Sequence, residues 1–178
     1  MIFRLTQKLG KKIGVEPTTC LPPASNPFID WTANLFGVQR VQYIIATNTQ
    51  SLYSIVMFGR GITDDNLFLK RALSSIRELI EDDGNAFLYQ RLIAPHTGKI
   101  SFSKTRDKRV LGSINELVFQ ATYHLETGEE SPFETSRRLN NTPMSYIEHR
   151  RPKEAFRSMH VAEESVSGDC AYFDEAGH

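Results

Sequence analysis

The stretch Lys104-Thr105-Arg106-Asp107-Lys108-Arg109 gathers four cations, and Val110-Leu111-Gly112-Ser113 follows it directly. Lysine and arginine give charge-assisted hydrogen bonds to phosphate or carboxylate, and a helix start beside them adds free backbone N–H groups. Ser113-Ile114-Asn115-Glu116 has the form of a capping box, which places such a start at Ser113. Lys104, Arg106, Lys108, Arg109, Gly112 and Ser113 are therefore the candidate anion-binding residues. A solvated turn between a strand and a helix would carry the same residues with no ligand at all. Further along, Arg137, Arg138, Arg150 and Arg151, with Lys153 and Arg157, form a second basic patch. If both clusters face one side, they offer a surface to nucleic acid or another polyanion. Tyr123, Phe133, Tyr146 and Phe156 lie in this part of the chain but are not interleaved with the cations as in an RNA-recognition motif.

Other constellations fail on spacing. Gly59-Arg60-Gly61 has the look of a phosphate-cradling loop, yet the third glycine of such a loop is replaced by Asp64, and Walker spacing is absent. Asp64 and Asp65 open the helix that follows, where carboxylates complement the macrodipole and repel phosphate. Neighbouring carboxylates there, and at Glu81-Asp82-Asp83, point about 100° apart on a helix and do not converge on one ion. His96, His124, His149, His160 and His178 show no zinc-binding spacing. Cys20 and Cys170 lack CxxC spacing, and Cys20 has no identifiable base beside it. Ser113 follows Gly112 but lacks the second half of a nucleophile elbow. No catalytic motif, metal site or cofactor is expected.

The elements that must hold the basic loop follow from periodicity. In 178 residues, 40% are apolar and 24% charged, with 21 basic and 21 acidic side chains. These proportions exclude wholesale disorder and any overall pull toward polyanions. The charges are unevenly placed: residues 161–178 hold five acidic and no basic side chains and read as a disordered acidic tail. Residues 1–160 read as one α+β domain. Residues 1–5 form a strand, Thr6 to Gly14 a short helix, and four prolines from Pro17 to Pro27 an extended loop. Residues 31–36, 41–47 and 52–58 are strand-like runs with connections too short for parallel crossovers, so they form a meander. The expected sheet is antiparallel, built around this three-strand meander and packed against helices. The last two runs are apolar on both faces, as central strands would be. Residues 63–82 have an amphipathic helical pattern, residues 87–94 lean to helix, and residues 99–104 alternate as a strand. Helices follow at Ser113, at the capping box Ser131-Pro132-Phe133-Glu134, and at Pro152.

The blocks MIFRLTQKLGKK, DWTANLFGVQRVQYIIATNTQSLYSIVMFGRGI and FSKTRDKRVLGSINELVF occur in that order over residues 1–157. Together they resemble a family of small bacterial proteins that carry only a domain-of-unknown-function label. That resemblance implies no reaction, ligand or site residue. Read from its residues, the chain is a non-enzymatic binding module for an anionic partner, nucleic acid or a phosphorylated ligand, through the basic loop. The alternative is an enzyme acting on a phosphorylated small molecule or nucleic acid at the same place, and a protein-interaction subunit with an apolar contact surface is a third. A deep pocket with a buried carboxylate or histidine beside Ser113 would favour the enzyme, and a flat basic face the binder. The longest apolar run, Leu52 to Phe58, is far short of the roughly 20 residues of a membrane span. The start of the chain has no signal-peptide pattern, and a cytoplasmic location without membrane contact is expected.

Overall fold

The computed structural model describes residues 1–105 and 107–162. Strand β1 (Ile2–Leu5) leads into helix α1 (Gln7–Ile13), which stops at Gly14 in the left-handed conformation, φ 70°. The proline-rich loop then delivers the chain to β2 (Asp30–Val38), β3 (Val41–Asn48) and β4 (Ser54–Phe58), the expected antiparallel meander. Helix α2 (Asp65–Asp82) is capped by Asp64, whose carboxylate accepts the Leu67 N–H at 2.8 Å. A short α3 (Ala86–Leu88) continues as wider and tighter helical turns to His96. Strand β5 (Ser101–Lys104), then α4 (Lys108–Glu126), α5 (Pro132–Asn140) and α6 (Pro152–Arg157) complete the described chain.

The sheet order is β4-β3-β2-β1-β5, and the sheet is mixed. The expectation of an antiparallel sheet holds only for the meander. β1 runs parallel to both β2 and β5, with Ile2 opposite Asp30 on one side and Ser101 on the other. Residues 6–29 separate β1 from β2, which is ample for a parallel crossover, whereas the meander connections are not.

Side chains alternate between two apolar layers. Phe3, Leu5, Trp31, Ala33, Ile44 and Ile55 face Leu9 and Ile13 of α1 and Phe68, Ala72 and Ile76 of α2. Phe36, Val38, Ile45 and Val56 face Val110, Ile114, Leu117 and Ala121 of α4 and Leu139 of α5. Each fully buried aliphatic side chain contributes about 1.5–3 kcal/mol relative to exposure. The result is an α+β fold of three layers, with α1 and α2 on one face, α4 on the other, and α5 along the β4 edge, where its Phe133 joins the first layer and its Leu139 the second.

β4 is an edge strand, not the central strand its apolar faces suggest. Helix α5 closes that edge with side chains. Ser136 Oγ accepts the Val56 N–H at 2.7 Å, and the Asn140 amide both accepts the Ser54 N–H and donates to the Ser54 carbonyl, each at 2.8 Å. One helical step of four residues rises about 6 Å, close to the two-residue repeat of a strand, so the two side chains meet alternate edge groups in register.

Candidate functional site

The basic loop enters α4 earlier than its sequence pattern suggests. Asp107 is the cap: its carboxylate accepts the backbone N–H groups of Arg109 at 2.9 Å and Val110 at 3.3 Å. The expected helix start at Ser113 is thus corrected. Ser113 is buried inside the helix, and its hydroxyl donates to the Arg109 carbonyl at 3.0 Å. Its backbone N–H belongs to the helical ladder and is not free for an anion. The true start carries a carboxylate that consumes first-turn donors and adds negative charge, so the helix end by itself is no anion trap. A Ser-x-x-Glu spacing also fits a helix interior, and Asp107 was hidden within a run of cations.

The remaining loop residues separate. Arg106 lies outside the described residues. Lys104 is exposed at the end of β5 and lines a crevice between α1 and α4. Lys108 and Arg109 are exposed in the first turn of α4, and among the described residues neither is paired with a carboxylate. The Arg109 guanidinium lies 6.0 Å from the centroid of the Tyr146 ring, a cation–π distance. Gly112 is exposed, with open space where a Cβ would stand.

On α4, Lys108, Gly112, Asn115, Phe119 and Tyr123 follow one another at helical spacing and share one outward line. All five are exposed, Phe119 at 76% and Tyr123 at 70%. Glu116 and Glu126, also exposed, flank the line. Sequence reasoning noted Tyr123 and passed over Phe119. The signal was available: Phe119 is out of phase with the buried set Val110, Ile114, Leu117, Ala121 and Leu125.

The second basic patch is largely committed to internal partners. Arg137 pairs with Asp82 at 3.4 Å, Arg138 with Glu130, and Arg151 with Glu154 at 3.9 Å. Arg150 donates to the Ile147 carbonyl at 3.4 Å and the Ser158 hydroxyl at 3.1 Å. Lys153 pairs with Asp83 at 2.7 Å. Arg137 and Arg138 sit on α5 against β4, at the sheet edge opposite the one that carries Lys104. The glycine turn at Gly59 is likewise occupied, by the Arg71 guanidinium, which donates to the carbonyls of Phe58 and Arg60 at 2.9 and 2.7 Å.

One polar centre left no local mark in the sequence. Arg4 on β1 and Asp30 at the start of β2 are 7% and 5% exposed and form a two-pronged pair, both contacts 2.8 Å. Arg4 also donates to the carbonyls of Leu21 at 2.7 Å and Pro22 at 3.0 Å and to the Ser103 hydroxyl at 3.4 Å. Asp30 further accepts from the Ala24 N–H at 3.0 Å and the Thr49 hydroxyl at 2.9 Å. Burial opposes ionisation of Asp30, but the bonds from Arg4 and the Ala24 N–H, the charge of Arg4 and the Thr49 hydroxyl outweigh it and hold the carboxyl below the usual range. The centre latches the proline-rich loop onto the sheet. With five hydrogen bonds, Arg4 has its full donor set engaged and offers nothing to a ligand. Cys20 is exposed beside this latch. Among the described residues no three metal-ligating side chains gather, and no helix is long and apolar enough to cross a membrane.

The chain belongs to the family defined by a domain of unknown function (DUF6933), which matches residues 2–155. No curated protein matches it.

Proposed function

From a family without an assigned activity, we propose that this protein is a non-enzymatic binding module for single-stranded nucleic acid, with the outward line of α4 as its contact surface. The observation that carries this reading is the pair of exposed aromatic rings, Phe119 and Tyr123, in line with Lys108 at the helix start, where neither Lys108 nor its neighbour Arg109 has a carboxylate partner among the described residues. Single strands are bound by stacking of bases on aromatic side chains, about 1–3 kcal/mol per base, combined with cations that track the backbone. Lys108 and Arg109 supply the charge, and Gly112 removes the side chain that would keep a phosphate backbone off the helix. The five acidic residues beyond Ala162 account for the neutrality of the whole chain, so the described body is basic on balance. Ser113, which the enzyme reading needs beside an acid or base, is hydrogen-bonded to a carbonyl of its own helix.

Fluorescence anisotropy with a labelled oligothymidine and an oligouridine of about 12 nucleotides tests the reading, since single modules cover about 4–16. Binding should weaken steeply with salt, and Lys108→Ala with Arg109→Ala should lower the salt slope by about two. Phe119→Ala with Tyr123→Ala should weaken binding at least about tenfold with the salt slope unchanged, as loss of stacking requires. Absence of binding to either strand at low salt would overturn it, and so would binding that the aromatic pair does not affect. Capture of a protein that is lost in the aromatic double variant would reassign the surface to a protein partner.

A further inference from the structure

The parallel neighbours β1 and β5 send the chain to opposite faces of the sheet. β1 runs into α1, whose Leu9 and Ile13 join the layer with α2. β5 runs into α4, whose Val110 and Ile114 join the other layer. Where adjacent parallel strands diverge in this way, a crevice opens outside their carboxyl ends, and open α/β sheets take their ligands there. In this protein the place is a crevice of about 530 Å³, a size that suits a small ligand.

Its walls are fixed before any ligand arrives. A Cβ on Gly10 would stand 2.5 Å from the Val15 carbonyl oxygen, so only glycine lets the loop press against α1. The Val15 N–H donates to the Gly10 carbonyl at 2.9 Å, and the Lys104 N–H donates to the Thr19 carbonyl at 2.9 Å. The loop is thereby tied to α1 at one end and to β5 at the other. Leu5, Val15 and Leu111 give the crevice apolar walls, while Gln7, Glu16 and Lys104 give it polar ones. Among the described residues, Lys104 is the one cation lining it and has no carboxylate partner.

We propose that this crevice binds a small organic anion, a carboxylate or a phosphomonoester. The charged group meets Lys104, a hydroxyl or amine of the ligand meets Glu16, and the apolar part lies on Leu5, Val15 and Leu111. This site is independent of nucleic-acid binding on the outward line of α4.

Titration of the full chain by amide NMR with phenyl phosphate, benzoate and phenol tests it. The two anions should cause saturable shifts at Thr6, Gln7, Lys104, Thr105 and Leu111, and one or both should bind at least about tenfold tighter than phenol. Lys104→Met should remove that tenfold advantage, and Glu16→Gln should preserve or increase it. The tighter anion identifies the headgroup. Phe119→Ala with Tyr123→Ala should leave these shifts unchanged, which separates this site from the proposed stacking surface. Equal binding of phenol and the anions, shifts centred on Lys108 and Arg109, or no saturation by about 10 mM, where ligands of this size should bind, would overturn the proposal.

Discussion

Arg4 and Arg109 carry the same guanidinium group in opposite circumstances. Arg4 is buried on β1 and places five hydrogen bonds within the protein, two of them on Asp30. Arg109 is exposed in the first turn of α4, forms no ion pair among the described residues, and rests over the Tyr146 ring. A guanidinium taken out of water must replace each hydration bond with a protein partner, whereas one left in water need not. The buried cation therefore reports how the proline-rich loop is held to the sheet. The exposed cations report what the surface still has to give to another molecule.

The sharpest way to break this contrast is to remove one half of the latch. Arg4→Met should cost about 3–5 kcal/mol in urea denaturation, because Asp30 is left buried without its counter-charge. Arg4→Met combined with Asp30→Leu should recover much of that loss, since neither charge then needs a partner. A single variant as stable as the parent would show that the latch does not hold the loop.

Acid should reveal the same centre by a different route. The Asp30 carboxyl is held below its ordinary range, so its contribution to stability is complete above the unfolded-state pKa near 4 and disappears as pH falls through the lower native value. The melting temperature of the parent should fall more steeply below about pH 4 than that of Asp30→Asn. Parallel curves would mean that Asp30 does not titrate differently in the folded and unfolded states.

The smallest expected effect lies at the other end of the comparison. Lys108→Ala with Arg109→Ala should change stability by no more than about 1 kcal/mol, as exposed charges do. A larger loss by thermal melting would move Arg109 from the surface set into the structural one, with the Tyr146 contact as its anchor.

The meander was legible because its connections are short and each of its runs is strand-like within a few residues. The capping box at Ser131 was legible for the same local reason: Ser131 Oγ accepts the Glu134 N–H at 3.2 Å and Glu134 accepts the Ser131 N–H at 3.1 Å. Parallel pairing of β1 was not legible, since Phe3 finds Trp31 and Phe102 far along the chain and leaves no local pattern. The Arg4–Asp30 latch is hidden by the same separation. The start of α4 was misplaced because two residues, Asp107 and Ser113, each fit a cap, and only packing of Val110 into the core decides between them. Of the candidate loop, Lys104 faces a crevice that no run of neighbouring residues announces. It arises where two parallel strands part.

The closure of β4 by α5 has a consequence for how the chain is made. Ile55-Val56-Met57-Phe58 is an apolar, uncharged run of the kind that templates cross-β assembly when its edge is open. Its cover arrives late, because Ser136 follows Val56 by 80 residues. At ordinary translation rates that interval lasts roughly 4–16 s. During it the nascent chain carries a naked rung beside the ribosome, in reach of chaperones and of neighbouring copies. The safety of the finished sheet is thus written into a helix that has yet to be synthesised.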